Sequence, residues 1–422
     1  MALSNRQLFL QHVAQTSPAP IALELVHAEG AWLWDAAGKK YLDLISGFSV
    51  MNMGHGQPAV KTAIKQQVDS YMHLLVYGEI IESPQVQYAH LLSRHLPASL
   101  DCIYFTNSGT EATEGAMKLA KRLTGRSKIV AFNKAYHGST QGALSIMGGE
   151  YWRNAYRPLL PDVWHADYNE AAALETITEQ TACVVMEVVQ AEAGVHAPLH
   201  QWLHAVRQRC TETGALLIFD EIQTGFGRTG TLWAFQQYGV VPDILLLGKA
   251  LGGGLPLGAF ISSHSRMQAL THNPVLGHIS TFAGHPVSCA AGMAQFNLLL
   301  NQFFNSGEVL TALPSGPVEA NEGILQKEQL LRSLLIHPAI RAVRSRGLLM
   351  AVQLPSAEFC QKVCHRCVQA GVVTDWFLFA ADCLRIAPPL ITLPADLEWA
   401  CGIILQAVEA EWHALWETIL MP

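Results

Sequence analysis

The sequence predicts an α/β protein: a large domain on a mostly parallel sheet sandwiched by helices, with a smaller α+β region after it. Three observations predict this. From about residue 100, short apolar runs rich in Val, Ile and Leu alternate with helical stretches, the signature of parallel strands covered on both faces. Half of the 422 residues are apolar, ample for a large core and for more than one domain. A compositional break at 305–323, with Pro314, Gly316 and Pro317, marks the boundary to the C-terminal region.

Residues 21–50 read as short strands and turns, with Ala31-Trp32-Leu33-Trp34-Asp35, a turn at Gly38, and Tyr41-Leu42-Asp43-Leu44. The alternating pattern then places strands at 102–105, 128–132, 183–187, 215–219, 243–247 and 258–262. Each is too short and too evenly apolar for a surface helix. Helices are expected at 111–123 and 201–213, among others. The C-terminal region carries Arg346-Gly347-Leu348-Leu349-Met350 and Leu384-Arg385-Ile386-Ala387-Pro388-Pro389. No internal repeat or low-complexity tract appears.

Net charge is −7 and no basic cluster stands out, which argues against nucleic acid or anionic membrane as partners. The first residues lack a basic-then-apolar leader pattern. No apolar run approaches the roughly 20 residues that span a bilayer. The expectation is a soluble, cytoplasmic protein. Charged residues are only 14% of the chain, so another subunit is expected to cover apolar surface. The nine cysteines are odd in number and lack framework spacing, so reduced thiols are expected. Cys364 and Cys367 form a C-x-x-C that suggests zinc. Cys360, Cys364 and Cys367 also fall on one face of a helix, as thiols packing in a core do. No second C-x-x-C is present, and no metal is expected.

In an open α/β sheet the site lies beyond the C-terminal ends of the strands. Two candidates sit there. Lys249 follows Ile244-Leu245-Leu246-Leu247 and precedes Ala250-Leu251-Gly252-Gly253-Gly254. Alone, it reads as a strand end reaching water. Asp220 ends the run Leu216-Leu217-Ile218-Phe219. It is either the cap of a following helix or a buried carboxylate, and an unpaired buried charge costs on the order of several kcal/mol. A pyridinium nitrogen would be a suitable partner, because a nearby anion keeps the ring protonated and electron-poor. Asn107-Ser108-Gly109-Thr110-Glu111-Ala112 opens a helix after a strand. It is an ordinary N-cap or, with its unpaired N–H groups and hydroxyls, a phosphate cradle. Tyr136-His137-Gly138 follows another strand, and its ring could stack on a planar cofactor or simply pack. Amine, strand-end carboxylate and phosphate cradle together are what a pyridoxal-phosphate Schiff-base site requires.

These segments, with Asp220-Glu221-Ile222-Gln223-Thr224-Gly225 and Ser280-Thr281-Phe282-Ala283-Gly284-His285-Pro286, resemble the class III pyridoxal-phosphate-dependent aminotransferases of fold type I. The acetylornithine, ornithine, 4-aminobutyrate and putrescine aminotransferases are of this kind. The likeness runs from about Trp32 to Pro389, with the motifs in the family's order. It implies that residues 1–55 join the small domain, that 56–304 form the large cofactor-binding domain, and that 305–422 form the C-terminal small domain. It implies that Lys249 is the Schiff-base lysine and proton shuttle, and that Asp220 partners the ring nitrogen. Gln223 would bond the ring hydroxyl, while Tyr136 and Ile222 pack on the ring faces. Ser108, Gly109 and Thr110 would hold the phosphate, with His137 nearby and Glu187 behind the site. Thr281 would complete the phosphate site of the neighbouring subunit in a homodimer.

The resemblance further implies a substrate switch. Glu192 covers Arg385 while an ω-amine is bound, then swings away so that the guanidinium can grip the carboxylate of a 2-oxo acid. Transfer of an amino group from an ω-amino acid or diamine-type donor to 2-oxoglutarate by ping-pong chemistry follows as the expected activity. Aminomutase or decarboxylase chemistry on the same fold is the alternative, and a non-catalytic cofactor-binding regulator a further one. One segment and two positions depart from the pattern: the segment 305–323 stands in place of the family's continuous helix leading into the C-terminal domain. Ser139 stands where many members carry an arginine for a distal carboxylate, which points to a less charged donor. Phe48 stands where ornithine-specific members have tyrosine, which points away from ornithine itself.

Overall fold

The central sheet has seven strands. In spatial order they are Cys102–Thr106, Gly258–Ser262, Ile244–Leu247, Leu216–Asp220, Thr181–Glu187, Lys128–Phe132 and Val163–Ala166. Only Gly258–Ser262 runs against its neighbours; the other pairings are parallel. The computed structural model describes residues 3–75, 78–304 and 318–420. Every residue of Lys128–Phe132, Thr181–Glu187, Ile244–Leu247 and Gly258–Ser262 is buried. That burial explains the unbroken apolar runs, since helices cover both faces. Among those helices are Gly109–Thr124 and His200–Thr213.

The expected strands are present, with ends shifted by up to two residues. Asp220 itself belongs to its strand, paired opposite Glu187 and Leu246. The edge strand Val163–Ala166 was not expected. It carries a half-exposed Trp164 and His165, so its pattern is that of a one-sided edge rather than a buried run.

A second sheet joins Leu25–Glu29, Trp32–Asp35 and Lys40–Asp43 to Val372–Val373, the last pair parallel. The N-terminal strands therefore share a sheet with the C-terminal region. A third, antiparallel sheet contains Ala342–Arg346, Leu349–Gln353, Ala380–Ile386 and Trp376–Phe377. Helices Glu322–Leu334, Ala357–Ala370 and Pro394–Leu420 accompany these sheets. Of the compositional break, residues 305–317, including Pro314, Gly316 and Pro317, lie outside the described residues. The next helix starts at Glu322, where the Asn321 side chain accepts from Ile324 N.

Cys360, Cys364 and Cys367 are buried in the core on helix Ala357–Ala370, which packs on helix Pro394–Leu420. All nine cysteines are free thiols. Among the described residues no three His, Cys, Asp or Glu side chains are grouped to hold a metal. Among the same residues no helix is long and apolar enough to cross a membrane.

One buried arginine ties distant segments together. Arg228 donates from Nη1 to Leu348 O (2.9 Å) and Pro388 O (2.6 Å), and from Nη2 to Ser46 Oγ (3.0 Å) and to Asn52 Oδ1. Its partners are neutral, and burial pulls its guanidinium down to about 9. Ser46 also donates to Ala387 O at 2.7 Å. These bonds anchor an unusual turn in which Ser46, Gly47, Phe48 and Ser49 all have left-handed φ, between 47° and 67°. Such angles are disfavoured for residues with a Cβ. The surrounding bonds hold the turn and set where the Phe48 ring points.

Candidate active site

Strands Leu216–Asp220 and Ile244–Leu247 end side by side, and a cavity of about 310 Å³ opens beyond them. Lys249, Asp220, Gln223, Ile222, Tyr136, His137, Glu187, Gly109 and Thr110 all line it, and so does Ser139. The amine and the carboxylate singled out in the sequence thus face one space. A roomier hollow of about 650 Å³, lined by Lys134, Asp167, Glu170 and His196 among others, is separate and contains neither of them.

Lys249 lies in the turn after its strand with φ +49°. Its Nζ donates to Gln223 Oε1 at 2.9 Å. Burial lowers its amine below the ordinary lysine range, while Glu192 and Asp220 oppose that shift. A lowered amine is the state that nucleophilic and proton-transfer chemistry needs.

Asp220 is 4% exposed. Its Oδ1 accepts from Ile222 N at 3.0 Å, and its Oδ2 lies 2.7 Å from His137 Nδ1. Asp220 is therefore not capping a regular helix. A carboxylate only accepts, so Nδ1 carries the shared hydrogen. His137 thus supports Asp220, which its sequence position gave no reason to expect. Behind them, burial raises the Glu187 carboxyl well above its usual range, and Asp220 adds to the effect. The N–H groups of Ala191 and Tyr136 donate to Glu187 and partly offset it.

The other end of the cavity is the start of helix Gly109–Thr124. Ser108 caps it, accepting from Glu111 N at 3.3 Å. Thr110 and Thr140 share a hydrogen bond of 2.7 Å between their hydroxyls. Gly138 is required here: its φ is +125°, and a Cβ would fall 2.2 Å from Thr110 Oγ1. Gly109 is similarly constrained, since a Cβ would lie 2.7 Å from Ile222 Cδ1. Backbone amides, hydroxyls and a helix N-terminus therefore converge without side-chain bulk, as anion binding prefers.

Arg385 is 1% exposed. Nη1 and Nη2 donate to the two oxygens of Glu192 at 2.8 and 3.0 Å. Its Cζ lies over the rings of Phe377 and Phe48, at 4.1 and 5.0 Å from their centroids, a favourable place for a cation. Burial alone would raise the Glu192 carboxyl, but Arg385 overrides it and holds the group below its usual range.

A model of the aminotransferase class-III family matches residues 13–408. The chain belongs to the class III aminotransferases. It is 37% identical over 404 residues to the acetylornithine aminotransferase of Methanopyrus kandleri, covering 94% of this chain and 97% of that one. It is 35% identical over 333 residues to the [LysW]-aminoadipate semialdehyde/glutamate semialdehyde transaminase of Sulfurisphaera tokodaii, covering 79% and 82%. Among solved structures it is similar to the ornithine aminotransferase of Toxoplasma gondii, with TM-score 0.86, 27% identity and coverage of 98% and 97%. The fold is that of type I transaminases and the cofactor is pyridoxal phosphate.

This aminotransferase cavity suits that cofactor on its own chemistry. It brings together an amine, a buried carboxylate and a phosphate-type cradle. It also contains two buried nitrogens without partners, Gln223 Nε2 and His137 Nε2. Of the expected site residues, Ser108 caps the helix that begins at the lining residue Gly109, and Phe48, Glu192 and Arg385 form a group outside the lining, with the charges of Glu192 and Arg385 acting on Lys249. Thr281 is exposed and outside the lining, while its neighbour Ser280 accepts from Asn107 Nδ2 at 2.8 Å. Sequence reasoning missed Asp375, whose Oδ1 accepts from Arg385 Nε at 2.8 Å, and Leu378, whose N–H donates to Glu192 Oε2 at 3.0 Å. A lone acid in the apolar stretch Thr374-Asp375-Trp376-Phe377-Leu378-Phe379 was the available signal.

Proposed function

We propose that this class III aminotransferase moves an amino group from an ω-amino acid or diamine-type donor to 2-oxoglutarate by ping-pong chemistry. One observation carries the reading. The Glu192–Arg385 pair sits where its charges act on Lys249, so a carboxylate-gripping guanidinium and a removable carboxylate flank the reacting amine. The names of the relatives, which concern acetylornithine, ornithine and aminoadipate semialdehyde, support a donor with a terminal amine.

Lys249 would hold the cofactor covalently, Asp220 its ring nitrogen and Gln223 its ring hydroxyl. Tyr136 and Ile222 would flank the ring, and Ser108, Gly109 and Thr110 would hold the phosphate. Bound there, pyridoxal phosphate supplies an aldehyde that takes up amino groups and a ring that withdraws electrons. Released by the donor, the Lys249 amine takes a proton from the carbon that bears the amino group, and later returns one. Asp220 keeps the ring nitrogen protonated through charge pairing. Glu192 screens Arg385 while a donor without an α-carboxylate is bound, then yields it to the acid.

The residues 1–55, 56–304 and 305–422 are read as small-domain segment, cofactor domain and C-terminal small domain. A homodimer belongs to the same reading, with Thr281 completing the partner's phosphate site. Exposed apolar side chains support it: Met72, Ile81, Val275 and Phe282 lie on segments joined by a contact between the His73 and Phe282 rings. Nine unpaired thiols support a reducing, cytoplasmic location.

The test is to supply the loaded enzyme with 2-oxoglutarate and, in turn, acetylornithine, 4-aminobutyrate, putrescine, cadaverine and lysine. Glutamate should form with at least one donor. Absence of glutamate from every pair, with rearranged amine or carbon dioxide instead, would replace this reading with an aminomutase or decarboxylase.

A further inference from the structure

Arg385 has two carboxylates on it, and they are not equivalent. Glu192 occupies the Nη1/Nη2 edge. Asp375 occupies the Nε side at 2.8 Å. The two acids come from different parts of the fold. Glu192 sits in the loop after strand Thr181–Glu187. Asp375 sits on the same hairpin as Arg385, and the backbone also ties them, Arg385 N donating to Asp375 O at 2.9 Å. Thr374 Oγ1 adds a bond to Arg385 O at 2.6 Å. Asp375 is thus held beside Arg385 by main-chain bonds within one hairpin as well as by its side chain. Glu192 reaches Arg385 from a separate loop, whose backbone is bonded to Phe379 N rather than to Arg385, so its side chain can turn away without disturbing the pairing of Asp375 and Arg385.

The charges point the same way. Arg385 is almost fully buried, and a buried cation stripped of its anion is strongly destabilised. If Glu192 were its only counter-ion, departure would strand the guanidinium in a buried setting against two phenyl rings. Asp375 keeps it paired, and Trp376 O accepts from Nη2 at 3.2 Å as well. Burial pushes the Asp375 carboxyl up to about 6, with Arg385 pulling against it; it is ionised in mildly alkaline solution. The edge that Glu192 vacates offers Nη1, Nη2 and the Leu378 N–H, three donors already aimed at a carboxylate.

We propose that Asp375 is a positioning residue for the acid half of the reaction: it stays on Arg385 Nε and holds the guanidinium in register while Glu192 gives up the Nη edge to the substrate carboxylate. This rests on the reading of Glu192 and Arg385 as an exchange pair. Asp375 is not among the residues that line the cavity. Its effect appears only where the vacated edge is used.

The experiment measures the two half-reactions of the holoenzyme separately, by the absorbance of the bound cofactor. The donor is an amine without an α-carboxylate, and the acceptor is 2-oxoglutarate. Asp375→Ala should raise the half-saturating concentration of 2-oxoglutarate at least tenfold while changing the limiting rate, and the whole donor half-reaction, by less than threefold. Asp375→Asn, which keeps an acceptor for Nε–H, should restore half-saturation to within threefold of wild type. Asp375→Ser, too short to reach Nε, should behave like Ala and serves if the Ala variant fails to fold. Half-saturation within twofold of wild type in the Ala or Ser variant overturns the proposal. So does an equal loss in both half-reactions, which marks a structural role alone. If wild-type enzyme does not react with 2-oxoglutarate at all, the underlying reading falls first, and this inference with it.

Discussion

His137 provides a sharp test of the site. It is 2% exposed and its Nδ1 is 2.7 Å from Asp220 Oδ2. Among the described residues, the other hydrogen bond to the Asp220 carboxylate comes from Ile222 N. Replacing His137 with Phe keeps a planar ring in the space but removes the donor. A hydrogen bond to a charged group contributes about 1.5–3 kcal/mol. If Asp220 loses that much of its placement against the ring nitrogen, proton transfer should slow by roughly ten- to a hundred-and-fifty-fold. The assay is a single turnover of loaded enzyme with saturating donor, followed by the visible absorbance of the cofactor. His137→Asn retains a donor near the position of Nδ1 and should recover most of the rate. Single-turnover rates within threefold of wild type for His137→Phe would refute the idea that His137 holds Asp220 for catalysis.

Other perturbations probe separate parts of the site. Lys249→Ala should abolish transamination and the visible absorbance of covalently held cofactor; near-normal turnover would remove Lys249 from its assigned role. Gly138→Ala should destabilise the protein by on the order of 1–3 kcal/mol, because its φ is +125° and the new Cβ would overlap Thr110. Cofactor affinity should fall with it, so an unchanged denaturation midpoint and unchanged affinity would show that the helix start does not need this close approach. Thr281→Ala should weaken cofactor retention at limiting pyridoxal phosphate. At limiting cofactor, mixed dimers with Lys249→Ala subunits should then turn over faster per intact Lys249 than Thr281→Ala dimers, and failure of that gain would argue against a shared phosphate site.

The large sheet was legible because its strands are buried on both faces, so Ile244–Leu247 and Thr181–Glu187 read as unbroken apolar runs. The edge strand Val163–Ala166 was not, because one face meets solvent and its composition resembles a loop. Asp220 and Lys249 were legible because one ends such a run and the other stands two residues beyond one. Glu192 and Arg385 were paired only through resemblance, since nothing in their local sequence links residues so far apart. The His137–Asp220 bond was hidden for the same reason: loop and strand meet only in the folded sheet. Asp375 was hidden differently. It lies close to Arg385 in sequence, but their pairing depends on a hairpin with an irregular register between Trp376 and Phe377. The boundary expected within 305–323 lies mostly on residues whose arrangement is not described.

Arg228 never reaches the cavity, yet it fastens Ser46 and Asn52 to Leu348 and Pro388. The turn so fastened carries Phe48, whose ring covers one face of Arg385. Where Phe48 stands against the guanidinium proposed to grip the acid is therefore set in part by a knot outside the cavity lining. Mutant libraries drawn only from wall positions would sample the furniture and leave the hinge pin untouched. Under the proposed function, drift at Arg228, Ser46 or Asn52 would shift that ring without altering any residue that lines the cavity.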